Sequence, residues 1–231
     1  MTAADAGRGV HAPSTLLRLL EARAVAGAGA LVAVSPFLQL VKRGERHPVL
    51  VMPGFGASDR STVALRWHIQ RWGYDVSGWD MGSNLGPTPE VITHLRDLVV
   101  GLHEEHGETV TLLGWSLGGI YARFLARHCP QIVRQVITLG SPFRMVQGDQ
   151  SSVSSLAESL EHTWDQTVIV DRPPEHLKAE LQVPSTAIYT RTDGVVRWHT
   201  CIDAAGPRRE NVEVYGSHIG LGVSPSVLYV V

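Results

Sequence analysis

Ser116 lies in the sequence GWSLG at residues 114–118, between a predicted strand and a predicted helix. A G-x-S-x-G pattern in this context predicts a sharp, strained turn that holds the serine hydroxyl clear of its neighbours. Glycines fit on both sides because side chains there would strike the adjoining strand or helix. The start of the helix also directs its N–H groups and the positive end of its dipole toward the serine. Ser116 is therefore the predicted nucleophile.

A serine hydroxyl needs a general base to act as a nucleophile at neutral pH. Of the 11 histidines, His218 is the best placed, because it lies in a loop just after the last predicted strand. Ser116 should emerge at the same, carboxyl end of the sheet. His199 is the alternative, although its setting between Trp198 and Thr200 is more typical of a surface helix or turn.

The acid that orients the base is expected in the loop after the preceding strand. Asp193 lies there, directly before Gly194. An Asp-Gly pair is also a common turn former, and the two roles are compatible. With Asp193 as the acid, the predicted order of the three catalytic groups along the chain is Ser116, Asp193 and His218. Asp203 and Asp171 are the alternative acids.

The negative oxygen of a tetrahedral intermediate requires backbone N–H donors. One predicted donor is the N–H of Leu117, the residue after the nucleophile. The other is the N–H of Phe55, in the glycine-rich loop after the first predicted strand. A glycine turn without this role is the alternative for that loop.

Three aromatic residues are predicted to bind the apolar part of a substrate: Phe55, Trp115 and Phe143. Together with Leu117 they favour short- to medium-chain acyl groups. Trp115 and Leu117 could instead pack beneath the turn.

Short apolar runs rich in β-branched residues alternate with helix-length segments along the chain. The runs are nearly continuous in hydrophobicity, as expected of strands buried on both faces of a parallel sheet. The predicted strands are 49–52, 75–79, 109–115, 133–139, 186–190 and 211–215, and the predicted helices are 61–72, 89–106, 118–128 and 153–164. This alternation predicts an α/β fold with a doubly wound, mainly parallel sheet of about six strands.

Length and composition fit one large α/β domain, since the chain has 231 residues and 44% of them are apolar. We expect this domain over residues 47–231, after an N-terminal segment 1–46. The interval 143–183 breaks the alternation and predicts a small cap or lid. The net charge of −2, with no long run of either sign, gives no basis for nucleic-acid binding.

The apolar stretch 24–41 follows two arginines and resembles a signal peptide or a membrane helix. Pro36 interrupts it, and its unbroken part is too short to span a membrane. The preferred interpretation is a helix from Ser14, as N-cap, to Ala30, packed on the domain or on a partner. A membrane surface or a second copy of the chain is the alternative contact.

Only two cysteines occur, Cys129 and Cys201, and both are predicted to be idle thiols outside any disulfide framework. Few cysteines and no convincing signal peptide favour a cytoplasmic location. The apolar N-terminal helix leaves room for membrane association.

Five motifs occur in the order found in one large superfamily: PGFG (53–56), GWSLGG (114–119), LGSPF (139–143), RTDG (191–194) and GSHIGL (216–221). With them, the sequence resembles the serine esterases and lipases of the α/β-hydrolase superfamily over roughly residues 48–221. It is most similar to bacterial lipase-like proteins, distantly similar to lipases that deacylate glycosylphosphatidylinositol. The resemblance implies the same triad and oxyanion hole, in an α/β-hydrolase catalytic domain that uses no metal and no cofactor.

The sequence departs from this family at four points. The usual first two strands have no counterpart, which is why six strands are expected. The cap is short for a lipase lid, and no HGGG motif occurs. The chain stops at Val231 within what resembles the closing helix, so either the terminus is trimmed or the helix is short.

The leading functional hypothesis is a serine carboxylic-ester hydrolase acting on a small-molecule or lipid ester through an acyl-enzyme. Acyl transfer to an alcohol or amine, or true lipase activity, would use the same triad. Thioesters and amides are further possible substrates. A non-catalytic binding protein on a hydrolase fold is the alternative from another class.

Overall fold

A computed structural model of the chain describes residues 11–38, 44, 46–144, 150–152, 163–164 and 181–231. Within these residues the strands are β1 (Pro48–Met52), β2 (Asp75–Ser77), β3 (Val110–Trp115), β4 (Val133–Leu139), β5 (Ser185–Tyr189) and β6 (Arg209–Glu213). The α-helices are α1 (Thr15–Leu19), α2 (Ala24–Leu38), α3 (Val63–Arg71), α4 (Pro89–His106), α5 (Leu117–His128) and α6 (Pro225–Val230). Short 3₁₀ turns occupy Leu20–Arg23, Asp59–Thr62, Trp198–Thr200 and Leu221–Val223.

The strands form one parallel sheet in the order β2-β1-β3-β4-β5-β6. Alternate residues of a strand face opposite sides of the sheet. Leu50 and Met52 accordingly pack in a core with α4 and α5. Val49 and Val51 pack in a second core with α2, α3 and α6. Helices therefore cover both faces, and the predicted doubly wound fold is confirmed.

All carboxyl ends of a parallel sheet lie at one edge, and the strand pairing fixes which residues meet there. Met52 at the end of β1 is paired with Gly114 of β3, and Trp115 is paired with Leu139 of β4. The chain order reverses between β1 and β3, so the loops after these two strands lie on either side of the point where ligands commonly bind in such sheets. The loops after β5 and β6 open at the same edge.

Helix α4 has the predicted bounds because its ends carry strong local signals. The Thr88 hydroxyl accepts a hydrogen bond from the Val91 N–H, and Pro89 occupies the first helical position. Gly107 ends the helix in the left-handed conformation, with φ = 66°.

Strand β2 is two residues shorter than predicted. The Asp59 carboxylate accepts hydrogen bonds from the N–H groups of Trp79 (3.1 Å) and Asp80 (3.0 Å). These residues therefore turn toward the loop after β1 instead of continuing the strand.

Strand β6 begins and ends two residues earlier than predicted, at Arg209 and Glu213. It lies at the edge of the sheet, and most of its residues are exposed or partly exposed. Charged residues are tolerated in such a strand, so its start carries no hydrophobic signal.

The N-terminal helix packs on the domain and is longer than predicted. The Ser14 side chain accepts a hydrogen bond from the Leu17 N–H, which confirms the predicted N-cap. The helical segment continues past Ala30 and Pro36 to Leu38, with one 3₁₀ turn in between. Leu31 is buried in the core that contains α6. Among the described helices, none is both long and apolar enough to cross a membrane.

Two predictions about organisation are not tested by these residues. The division at residue 46 stays a prediction. The cap expected at about 143–183, with its helix 153–164, lies outside the described residues apart from 143–144, 150–152, 163–164 and 181–183.

The close approach of α5 to β1 yields a first prediction. A Cβ added at Gly118 would overlap the backbone of Met52 and Pro53, which cannot move without disturbing the sheet. Gly118→Ala should therefore lower the free energy of unfolding by about 2–3 kcal/mol. Denaturant unfolding followed by circular dichroism measures this change.

Gly101→Ala is the matched control. A Cβ added at Gly101, in the middle of α4, meets nothing within 4 Å. This substitution should raise the free energy of unfolding by about 0.5–1 kcal/mol. Equal effects at the two positions would contradict the packing described here.

Candidate functional site

Ser116 sits at the turn between β3 and α5 in a strained backbone conformation, with φ = 53° and ψ = −118°. Such a conformation costs a non-glycine residue about 1–3 kcal/mol, so the surroundings must hold it in place. The Ser116 N–H donates to the Leu139 carbonyl (2.8 Å), and its own carbonyl accepts from the Gly119 N–H (3.0 Å). The residue is partly exposed at the carboxyl edge of the sheet.

Gly114 makes this turn possible through the absence of a side chain. A Cβ at Gly114 would overlap the backbone of Gly118, the second residue of α5. The β3–α5 unit can therefore close this tightly only with glycine at that position.

Asp193 and His218 form a buried hydrogen-bonded pair. The His218 Nδ1 to Asp193 Oδ2 distance is 2.6 Å, and the residues are 6% and 3% exposed. The second carboxylate oxygen of Asp193 accepts from the N–H groups of Val195 and Val196, at 2.8 Å each. Since a carboxylate only accepts, Nδ1 carries the proton of the neutral ring, and Nε2 is left as the basic nitrogen.

The His218 loop is anchored directly to the strand that carries Ser116. The indole N–H of Trp115 donates to the His218 carbonyl (3.1 Å). In the described part of the chain, no hydrogen bond joins Ser116 Oγ to His218. Such contacts are commonly long without substrate and tighten when the complex forms.

The loop after β1 runs beside Ser116. A Cβ built on Gly54 would lie 3.1 Å from the Ser116 Cβ and 3.8 Å from its Oγ. Phe55 follows in this loop, and Leu117 is the first residue of α5. Within the described residues, neither the Phe55 N–H nor the Leu117 N–H donates to another protein group. Among these residues both predicted oxyanion donors lack a protein acceptor, as binding an oxygen near Ser116 would require.

Asn84 holds the Phe55 loop in shape and was missed by sequence reasoning. The side-chain amide N–H of Asn84 donates to the Pro53 carbonyl (2.8 Å). The backbone carbonyl of Asn84 accepts from the Gly56 N–H (2.7 Å). The Asn84 Oδ1 atom accepts from the hydroxyl of Tyr121 (2.9 Å). Asn84 is fully buried. Burial also raises the pKa of the Tyr121 hydroxyl well above its usual range, so the Tyr121 hydroxyl keeps its proton and donates. No local pattern marks Asn84, because Pro53, Gly56 and Tyr121 are all distant from it in sequence.

The three residues predicted to bind substrate differ in their surroundings. Phe55 is partly exposed, and its ring contacts Trp164 edge-on, with centroids 5.7 Å apart. Trp115 is buried and packs in one of the two cores. Packing beneath the turn was the alternative to substrate binding that the sequence suggested for this residue. Phe143 is also buried, and the guanidinium carbon of Arg123 lies 3.9 Å from its ring centroid.

The two alternatives that the structure describes, Asp203 and His199, take no part in the Asp193–His218 pair. Asp203 forms a hydrogen-bonded ion pair with Arg123 (2.8 Å), and both side chains are nearly buried. His199 stacks edge-on against Trp198 in a 3₁₀ turn. Asp171 lies outside the described residues.

Neither cysteine forms a disulfide, and Cys201 lies near Asp193. Burial, followed by the charge of Asp193, raises the pKa of the Cys201 thiol well above its usual range. The thiol is therefore protonated at neutral pH and is a poor nucleophile. In the described ranges, no group of three His, Cys, Asp or Glu side chains could hold a metal ion.

Comparison with known proteins identifies the family of the chain. Residues 74–198, more than half of the chain, match the family of PGAP1-like α/β domains. The chain belongs to this family. The matched residues include Ser116 and Asp193, whereas Phe55 and His218 lie outside them. The predicted resemblance to the lipases and esterases of the α/β-hydrolase superfamily is confirmed.

Solved structures share the fold of this PGAP1-like chain at low sequence identity. Aspergillus fumigatus lipase B is 17% identical with a TM-score of 0.59; the match covers 79% of this chain and 51% of the lipase. A metagenome-derived lipolytic enzyme is 17% identical with a TM-score of 0.60, over 82% of this chain and 91% of the other. Bacillus licheniformis lipase BlEst2 in its mature form is 16% identical with a TM-score of 0.55, over 79% of this chain and 89% of the lipase. The chain thus spans about half the length of the Aspergillus lipase. No curated protein is detectably similar in sequence.

The Arg123–Asp203 pair gives a prediction for stability against pH. Burial acts to raise the pKa of Asp203, but the hydrogen bond and charge of Arg123 and the charge of Arg209 bring it below its ordinary value of 3.8. Asp203→Asn should lower the free energy of unfolding at pH 7 by about 3 kcal/mol, because Arg123 stays buried without its carboxylate. Urea denaturation measures the difference between the two proteins.

The pKa of Asp203 is lower in the folded state than its ordinary value of 3.8. The difference in free energy of unfolding between the wild type and Asp203→Asn should therefore be fully present above about pH 3.8 and shrink as the pH falls through the folded-state pKa. Asp97→Asn, an exposed substitution on α4, should have almost no effect at any pH. A difference for Asp203→Asn that stays constant down to pH 3 would contradict the assigned ion pair.

Proposed function

We propose that the protein is a serine hydrolase that cleaves carboxylic esters through an acyl-enzyme intermediate. The observation that carries the proposal is the buried 2.6 Å hydrogen bond between Asp193 and His218, at the sheet edge where Ser116 emerges in a strained turn. The hydrolase-like fold and the lipases among its structural neighbours support it further.

In the proposed reaction, the Ser116 Oγ atom attacks the ester carbonyl carbon while His218 Nε2 accepts the hydroxyl proton. Asp193 holds the ring in the required tautomer and stabilises its charged form. The carbonyl oxygen becomes negative and accepts hydrogen bonds from the N–H groups of Phe55 and Leu117. The dipole of α5 favours the same negative charge.

The tetrahedral intermediate collapses when the bond to the alcohol oxygen breaks. His218 gives its proton to the departing alcohol, which leaves an acyl group on Ser116. Water then repeats the sequence with His218 as base, releasing the acid and restoring the serine. The proposed substrate has a short- to medium-chain acyl group, which the partly exposed ring of Phe55 would contact beside Trp164.

The predicted membrane-surface or homodimer contact of the N-terminal helix remains a prediction. Its exposed apolar side chains would supply that contact: Leu16, Leu19, Val25 and Val32. Their exposure favours neither partner.

A series of p-nitrophenyl esters from acetate to palmitate tests the proposed reaction. We expect the wild type to hydrolyse them with a rate that peaks at short or medium chains. Ser116→Ala should lower kcat by about 10⁴-fold or more, because it removes the hydroxyl that forms the acyl-enzyme.

Two asparagine substitutions serve as a matched pair in this assay. Asp193→Asn should lower kcat by about 10⁴-fold, because the amide favours the wrong ring tautomer. Asp203→Asn should retain activity wherever the protein remains folded, because Asp203 pairs with Arg123. Activity unaffected by Ser116→Ala would overturn the proposal, and new ester products with added alcohol would indicate acyl transfer.

A further inference from the structure

Glu21 is a buried carboxylate in the N-terminal helical segment, which precedes the sheet. It lies in the 3₁₀ turn Leu20–Arg23 and is 8% exposed. Glutamate is rarely buried in proteins unless its charge is paired or hydrogen-bonded. Its partners therefore reveal what the segment holds.

Three backbone N–H groups donate to the Glu21 carboxylate. The Oε1 atom accepts from Gly194 (2.7 Å) and from His218 (3.0 Å), and Oε2 accepts from Ile219 (2.8 Å). Gly194 directly follows Asp193, so one side chain bonds the loop of the proposed acid and the loop of the proposed base. Hydrogen bonds to a carboxylate are among the stronger ones in proteins.

The surrounding contacts seat the turn firmly on both loops. The Arg23 guanidinium donates to the carbonyls of Thr192 and Gly216, at 3.3 Å each. A Cβ added at Gly194 would overlap the backbone of Leu17, so α1 also lies directly against the acid loop. The Thr192 hydroxyl links the loops independently, through a hydrogen bond to the Gly216 carbonyl (2.7 Å).

We propose that Glu21 is a positioning residue that sets the relative placement of the Asp193 and His218 backbones. The inference rests on the proposed function, since its effect on catalysis passes through that pair. Without the carboxylate, three N–H groups at the loops lose their acceptor, and buried donors without partners are costly. The loops would then open locally, and the 2.6 Å Asp193–His218 bond would be held less closely.

Two substitutions grade the loss of acceptors. Glu21→Gln keeps one carbonyl oxygen and turns an NH₂ group toward at least one N–H donor, while Glu21→Ala removes every acceptor. Glu104→Gln, at an exposed position of α4, is the matched control. Hydrogen exchange by mass spectrometry on the unliganded proteins reads the loops directly, whether or not the protein has activity.

We expect exchange at least about tenfold faster in peptides covering 190–197 and 214–221, increasing from Glu21→Gln to Glu21→Ala. The rest of the chain and the control should be unchanged. Unchanged protection of these peptides in Glu21→Ala would overturn the proposal, and so would an equal rise throughout the chain, which reports only lost stability.

Kinetics provide the second readout. Turnover is expressed per reactive serine, titrated with a fluorophosphonate, so that unfolded molecules are not counted. Glu21→Ala should lower this kcat by about 10- to 100-fold with little change in KM, as expected for a misplaced base. A normal kcat per reactive serine would overturn the catalytic role. If the wild type itself neither hydrolyses esters nor reacts with the fluorophosphonate, the proposed function fails. The hydrogen-exchange data would still decide whether Glu21 fixes the two loops.

Discussion

The strained backbone of Ser116 is the constraint on which the rest of the site depends. A residue with φ = 53° persists there because β3 and α5 are both buried on either side of it and leave no room for relaxation. The glycines at 114 and 118 allow this approach, since a Cβ at either position would meet backbone. The folding energy of the sheet thereby holds one hydroxyl at its carboxyl edge, beside the N–H group of Leu117 at the start of α5.

The other parts of the site reach the same edge from separate strands. The loop after β1 brings Phe55 alongside the turn, and Asn84 fixes that loop from beneath. The loops after β5 and β6 bring Asp193 and His218 together, with Glu21 bonded to both. Among the described strands β6 lies at the edge of the sheet, so its loop has a neighbouring strand on one side only. The N-terminal helical segment lies against that loop.

Local sequence signals were sufficient for much of the fold and for selecting the residues of the proposed site. Helix α4 was predicted to the residue because its caps are encoded within a few positions of each end. Ser116 stood out because a nucleophile turn needs glycines at fixed offsets. Asp193 and His218 could be placed because each lies in the loop after a predicted strand. In the structure the His218 Nδ1 atom is 2.6 Å from the Asp193 Oδ2 atom.

Residues whose roles depend on distant partners could not be predicted in this way. Glu21 is bonded to groups more than 170 positions away, and nothing in its neighbours distinguishes it from a solvated glutamate. Asn84 is inconspicuous for the same reason. Trp115 and Phe143 are apolar residues close to the site in sequence, but pattern alone cannot tell a ring that faces a substrate from one that faces the core. Both rings are buried.

The central claim is that Ser116 is a nucleophile activated by His218. Reaction of the purified protein with a fluorophosphonate, followed by intact-mass and peptide mass spectrometry, tests it without any assumption about the natural substrate. We expect one adduct per chain, located on Ser116, no adduct on Ser116→Ala, and greatly slowed labelling of His218→Ala. Failure of the folded wild type to react, or an adduct on another residue, would contradict it and favour a binding protein built on a hydrolase fold.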